Sequence, residues 1–169
     1  MWRKGQLSKS VLLFGDEKSF RETMRWALKR TWTRKRQDTV VKRSITNILE
    51  YMGKMMNCAD NENAIEFFRH AFILVDNFAI FVAGINKIDL WSENSMYRQV
   101  FDQATIIPPA FEKDFKTISG DYTNKRNRKE VLLAAKKFTR WSQELIKNQY
   151  GLNRFRDQGF SEMVNNVRY

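Results

Sequence analysis

Residues 71–85 read AFILVDNFAIFVAGI, and the fold turns on how this stretch is read. It sits inside a predicted helix running from Asp60 or Asn61 to about Ile88. Ala71–Val75 and Phe78–Val82 leave that helix apolar nearly all round. Such a helix lies at the centre of its domain or lends one face to a subunit interface, because it has no polar side to turn to water. Asp76 and Asn77 break the run, and a membrane span needs about 20 mostly apolar residues. The expected setting is the core of a soluble protein with no membrane partner.

Composition agrees with a helical core. The chain has 169 residues, 43% of them apolar, with 13 Phe and 5 Trp. That suits one buried core and is too apolar for general disorder. Only 7 Gly and 2 Pro are present, too few for an all-β chain full of tight turns. The expected fold class is all-α. Cys58 is the only cysteine, so neither an intramolecular disulfide nor a Cys-based zinc site is expected, and the usage agrees with a reducing, cytoplasmic setting. The apolar run Val11–Phe14 is four residues long, shorter than a secretory signal requires.

Outward from the central helix, the other elements follow from spacing and breakers. Asp16 is placed to cap a first helix from Glu17 to about Arg34. Phe20, Met24, Ala27, Leu28 and Thr31 share one of its faces, and Arg21, Arg25, Lys29 and Trp32 another. Thr33–Asp38 reads as a charged hinge, with Asp38 or Thr39 capping a second helix from Thr39 to about Asn57. Its stripe is Val41, Ile45, Ile48, Leu49, Met52, Met55 and Met56. After Leu90–Glu93, with Ser92 and Ser95 as capping hydroxyls, a fourth helix turns Met96, Tyr97, Val100, Phe101 and Ala104 inward. Pro108-Pro109 ends or kinks it near Ile107, since a proline inside a helix costs about 3 kcal/mol. A second piece over about Ala110–Ile118, a linker at Ser119–Asn127 and a fifth helix over about Arg128–Tyr150 follow, stopped by Gly151. Beyond it, the stretch through Arg154, Arg156 and Gly159 is expected to be loose, apart from a short turn at Ser161–Val167.

Catalytic patterns are missing. A helical ribonuclease of the HEPN type needs an Arg about four to six residues before its histidine, and positions 63–65 ahead of His70 hold Asn, Ala and Ile, so Arg69 beside it does not complete the motif. No Ser/His/Asp arrangement, glycine-rich phosphate loop or His/carboxylate metal spacing stands out. Cys58 and His70, twelve residues apart, read as capping and packing residues rather than as nucleophile and base. The central acidic residues suit helix starts better than a metal site. The expectation is no enzyme, no cofactor and no metal.

Charge carries the functional signal. Residues 1–54 hold 14 Lys/Arg against 5 Asp/Glu, residues 55–115 hold 4 against 9, and residues 116–169 hold 12 against 5, within a net charge of +11. Two clusters dominate: Lys29, Arg30, Arg34, Lys35, Arg36, Lys42 and Arg43, and then Lys125, Arg126, Arg128 and Lys129. Cations at a helix C-terminus complement its dipole, which is the structural explanation for Lys29–Arg36. Two clusters on one strongly basic chain point instead to a polyanion, whose phosphates they would neutralise with counterion release. Trp26, Trp32, Tyr122 and Trp141 lie among the cations and could stack on unpaired bases or fill the core. No zinc-finger or RNP signature accompanies them, so backbone and shape recognition is expected over base reading.

Two segments, WALKRTWTRKRQDTVVKRSITNILEYM (26–52) and FFRHAFILVDNFAIFVAGINKIDLWSENSMYRQVF (67–101), add a pattern. A helix ends in a basic hinge, and a second starts near a Thr. A long apolar helix, a short loop with Ser and a helix with Tyr then follow. Phe68, Ala71, Leu74, Phe78, Phe81, Val82, Ile85, Ser92 and Tyr97 fall on it. In this, residues 26–101 resemble the small four-helix-bundle family of the 23S rRNA intervening-sequence proteins and the accessory variability determinants of diversity-generating retroelements. The chain departs from it at ATIIPPAFEKDF (104–115), where the family has a Gly-Gly-Trp-type segment, and after Ser119, where compact members have no counterpart. The third helix also carries fewer cations than the family's. The resemblance implies an antiparallel four-helix bundle over 17–118, flanked by an arm at 1–16, a linker at 119–127 and an additional C-terminal helix and tail at 128–169. It also implies a homo-oligomer (a pentamer in the retroelement members) that binds RNA and a reverse transcriptase without catalytic residues. One rival is a helical adaptor docking an acidic protein partner without nucleic acid. Another is an RNA-cleaving toxin dependent on His70.

Overall fold

A computed structural model describes residues 14–29, 31–59, 64–90, 95–120, 127–155 and 157–167. Among these, all regular structure is helical. The helices are α1 (Glu17–Lys29), α2 (Arg34–Ala59), α3 (Ala64–Ile85), α4 (Met96–Gln103), α5 (Phe111–Ser119), α6 (Arg128–Leu145) and α7 (Gln158–Asn166). A π-helical turn, Ile146–Tyr150, and a 3-10 turn, Leu152–Phe155, join α6 to α7.

The apolar stretch forms α3, and its neighbours bury it from several sides. Leu74, Phe78, Phe81 and Val82 are fully enclosed, with α2, α4, α5 and α6 packed against the helix. By length and composition α3 is long and apolar enough to cross a membrane, and 61% of its most apolar window is buried inside the fold, as in a core helix. Asn77, one of the two residues that interrupt the run, is buried and accepts a 2.9 Å hydrogen bond from the Asn47 side chain on α2.

Helices α2 and α3 run in opposite directions. At one end Gln37 Nε2 donates to the carbonyls of Gly84 and Ile85, both at 3.1 Å. At the other, Cys58 Sγ reaches Glu66 Oε2 at 4.0 Å. Gly84 lets the two backbones close in: a Cβ there would stand 2.9 Å from Val40 Cγ1. The start of α2 corrects the expected hinge. Thr33 Oγ1 accepts from the Arg36 amide at 3.1 Å, so the helix begins at Arg34 rather than Thr39. A capping hydroxyl satisfies an orphan donor, and the Arg and Lys that follow are good helix formers. Asp16 caps α1 as expected, accepting from Ser19 N at 2.8 Å. None of the described side chains of α1 is buried, Phe20 and Met24 being half-buried.

A break precedes Pro108-Pro109 as expected, but α4 already ends at Gln103, short of Ile107, and α5 starts at Phe111. Asn86, just past α3, anchors the chain in between. Its Oδ1 accepts from the amides of Thr105 (2.9 Å) and Ile106 (2.8 Å), and its Nδ2 donates to Ile106 O (2.9 Å). The fifth predicted helix is α6, and it belongs to the core. Phe138 lies 4.2 Å from Phe78 and 5.3 Å from Phe111 between ring centroids.

The tail is more ordered than its sequence suggests. Gly151, at φ +76° in the left-handed region, donates from its amide to Ile146 O at 2.9 Å and closes the π turn. Asp157 then caps α7, accepting from Phe160 N at 2.9 Å. Phe160 and Val164 are buried, and Gln143 Nε2 holds the Val164 and Val167 carbonyls at 3.0 and 2.9 Å. The expected N-terminal arm lies outside the described residues up to Leu13, and the linker outside them at 121–126.

Helix α3 ends in a Schellman-type cap: Ile88 N donates to Ala83 O at 2.8 Å and Lys87 N to Gly84 O at 3.3 Å. This puts Lys87, an exposed non-glycine residue, at φ 57°. A side chain in that conformation costs about 1 kcal/mol or more. Lys87→Gly should therefore stabilise the protein by about 1 kcal/mol in urea unfolding. A variant no more stable than the parent would contradict the strain assigned to this cap.

Candidate nucleic-acid interface

The cations divide by what the fold does with them. Arg36 is held inside. Its Nη2 donates to Asp89 Oδ1 at 3.0 Å, and its guanidinium lies 4.4 Å from the Trp32 ring centroid. Lys42 is ion-paired with Asp157 across to α7. Arg34, Lys35, Arg43 and Lys129 are exposed, and none is ion-paired to a described carboxylate. Arg128 is half-buried at the start of α6. The Lys29 side chain and Arg30, Lys125 and Arg126 lie outside the description.

Because α2 starts at Arg34, the cluster Arg34-Lys35-Arg36 occupies the first turn of a 26-residue helix with no acidic residue in that turn. Helix starts carry positive partial charge and favour anions. The dipole therefore opposes these cations, and the structural explanation available at a helix C-terminus does not apply. Unpaired amides and cationic side chains instead add up to one patch of positive potential.

That patch lines a groove of about 460 Å³ between α2 and the C-terminal 3-10 turn. Arg34, Asp38 and Lys42 supply one side at four-residue spacing, with Lys35 and Thr39 beside them; Arg154 and Phe155 close the other. Four cations face one carboxylate along it. Arg154 is fixed from three directions. It pairs with Asp38, donates from Nη2 to Gln37 Oε1 at 3.3 Å, and lies 4.4 Å from the Tyr150 ring centroid. Burial, ahead of the opposing effect of the Arg154 charge, raises the Tyr150 hydroxyl pKa. The hydrogen bond from Lys42, with the Phe160 amide behind it, holds the Asp157 carboxyl below the usual aspartate range. The Lys42 ammonium also lies 5.6 Å from the Phe160 ring.

Arg154 and Phe155 were not among the expected site residues, since the tail looked loose. The signal was present in Asp157, a capping residue ahead of Phe160 and Val164 at helical spacing. Of the aromatics considered for stacking, Trp141 packs edge-on against Phe81 at 6.0 Å and Trp32 lies against Arg36. Trp26 and Tyr122 carry no side-chain description. A second groove, of about 1100 Å³, lies beside Pro108-Pro109, where Lys113 and Lys116 are balanced by Glu112 and Glu130. Its charge cancels, so it offers a polyanion nothing.

The sequence also separated two residues that the fold brings together. Cys58 and His70 converge with Glu66, their donor atoms all lying within 4.8 Å of one another.

No protein-family model matches this chain, and no curated protein or solved structure matches it either.

The C-terminal wall of the groove depends on Asp157. A carboxyl with a lowered pKa contributes stability at neutral pH that is lost as pH falls through its folded value, below about 4. The protection of the Gln158–Asn166 amides, their exchange measured relative to the unfolded chain at the same pH, should fall on acidification through that range. At neutral pH, Asp157→Ala should lower it too, while the α3 core stays protected. Exchange as slow in Asp157→Ala as in the parent would refute the role of this pair and cap.

Proposed function

We propose that this protein is a non-enzymatic, RNA-binding accessory protein whose basic groove holds the phosphate backbone of structured RNA. The observation that carries it is the first turn of α2. Arg34 and Lys35 stand there exposed, against the helix dipole, beside Lys42 and Arg154 on the groove wall. Placing cations where the dipole disfavours them costs stability, and a bound polyanion recovers it. Arg34, Lys35 and Arg43 are the leading phosphate contacts, with Lys129 secondary. Arg36 and Lys42 act chiefly by holding the groove together through Asp89 and Asp157.

The finer architecture belongs to the same reading: an antiparallel four-helix bundle built on the α2–α3 pair, completed by α6 and by α4 with α5. A homo-oligomer is supported by α3, a mostly buried helix that leaves the apolar Ile65 83% and Phe72 49% exposed. A reverse transcriptase as protein partner, and a pentamer as the assembly, rest on the resemblance of residues 26–101 alone.

Affinity for a structured RNA, read by fluorescence anisotropy, should fall steeply with salt, each phosphate contact contributing about one unit to the slope of log K against log salt. Arg34→Glu with Lys35→Glu should flatten that slope by about 2 and weaken unrelated RNA sequences by similar factors. Absence of binding at low salt would end the proposal. An affinity unchanged by the double reversal would remove the groove from it. A clean absorbance spectrum after purification, with capture of an acidic protein instead, would favour the adaptor.

A further inference from the structure

We propose that Cys58, Glu66 and His70 form a site for one divalent transition-metal ion, best matched by Zn²⁺. The site lies at the end of the α2–α3 pair opposite to Gly84. Cys58 sits in the last turn of α2, and Glu66 and His70 stand four residues apart in the first two turns of α3. That spacing puts carboxylate and imidazole on one helix face, and the opposed α2 brings the thiol to meet them.

The geometry is close to that of a bound ion. The three donor atoms lie within 4.8 Å of one another, and the thiol already contacts the Glu66 carboxylate at 4.0 Å. Tetrahedral zinc, with bonds of about 2.0–2.3 Å, separates its ligand atoms by roughly 3.4–3.7 Å. A contraction of about 1 Å closes the difference, and Glu66 stands exposed at the rim of the site.

Composition makes the convergence informative. The chain contains one cysteine and one histidine in 169 residues, and the fold puts both at a single point beside a carboxylate. Among the described residues, neither is held there by a short hydrogen bond. The thiol's one described hydrogen bond is the long one to Glu66, and His70 Nδ1 is buried without a hydrogen-bond partner. An orphaned buried nitrogen is costly. The ring itself is fixed in place, 5.9 Å from Tyr51. The nearby Lys54 ammonium is directed at Glu50, at 2.6 Å, and at the Tyr51 ring, so it does not neutralise the site.

The donor set selects the ion. Thiolate and imidazole exclude magnesium and calcium and suit zinc. One thiolate, one carboxylate and a neutral imidazole cancel the charge of a divalent ion. Three protein ligands leave a fourth position open to water. Because thiolate is the binding form, loading the site releases a proton.

Cobalt is the probe. One equivalent of Co²⁺ added to the metal-free full-length chain should give thiolate-to-cobalt charge transfer in the near ultraviolet, with visible d–d bands that Zn²⁺ abolishes. With no other cysteine present, a thiolate band can only come from Cys58. Cys58→Ser should lose that band. Glu66→Gln and His70→Gln should each weaken Co²⁺ by more than about tenfold, a direct ligand mattering at least as much as an outer-shell partner. Stoichiometric Zn²⁺ should raise the thermal midpoint of the parent and leave that of Cys58→Ser unmoved. A bare cobalt spectrum with the parent chain, or a charge-transfer band that survives Cys58→Ser, overturns the proposal. The parent spectrum decides the matter even if a variant fails to fold.

Discussion

A helix apolar on nearly every side has little to offer water, and covering most of α3, Ile65 and Phe72 apart, is the constraint from which the rest of this fold follows. One neighbour hides only one side of a helix. Here α2 lies along its length, and α4, α5 and α6 close in around it. The cover holds because polar groups at the Gly84 end and at mid-length of the pair are satisfied. Gln37 takes the last carbonyls of α3, Asn47 meets Asn77 at mid-length, and Gly84 removes the side chain that would keep the backbones apart. Burial of apolar surface drives the association. The buried amides decide the register, because a slipped pair would leave them unpaired.

The same constraint makes the two ends of the α2–α3 pair chemically different. At the Gly84 end, the first turn of α2 exposes Arg34 and Lys35 while Gln37 stays buried, and the C-terminal segment folds back onto the helix through Asp38–Arg154 and Lys42–Asp157. Carboxylates there pair with Arg154 and Lys42, while Arg34 and Lys35 stand exposed and are ion-paired to no described carboxylate. At the Cys58 end the pair presents thiol, imidazole and carboxylate in a space small enough for one ion. A polyanion at one end and a metal ion at the other would act on opposite ends of the same two helices.

Much of the fold was legible along the chain. The core helix, the break before Pro108-Pro109, the Asp16 cap and the start of the fifth helix at Arg128 all come from local rules of period and breaker, and each stands in the structure. Two local readings failed for physical reasons. Thr33 and Thr39 are equally good caps on paper, and the choice of Thr33 lengthened α2 and moved three cations from a presumed helix end to a helix start. The tail looked loose because each of its pieces is short. Its order comes from distant partners, Gln143 for the α7 carbonyls and Asp38 for Arg154, which no window of neighbouring residues contains.

The candidate sites divide along the same line. The sequence alone established that the protein is basic at both ends, helical, and built around one apolar helix, because charge and period are properties of the chain itself. Only the tertiary structure decided which cations remain free, since that depends on carboxylates 53 residues from Arg36 and 115 from Lys42. It alone joined Cys58 and His70 as well. Twelve residues of separation say nothing until two opposed helices place them side by side, and a site is made by distance in space.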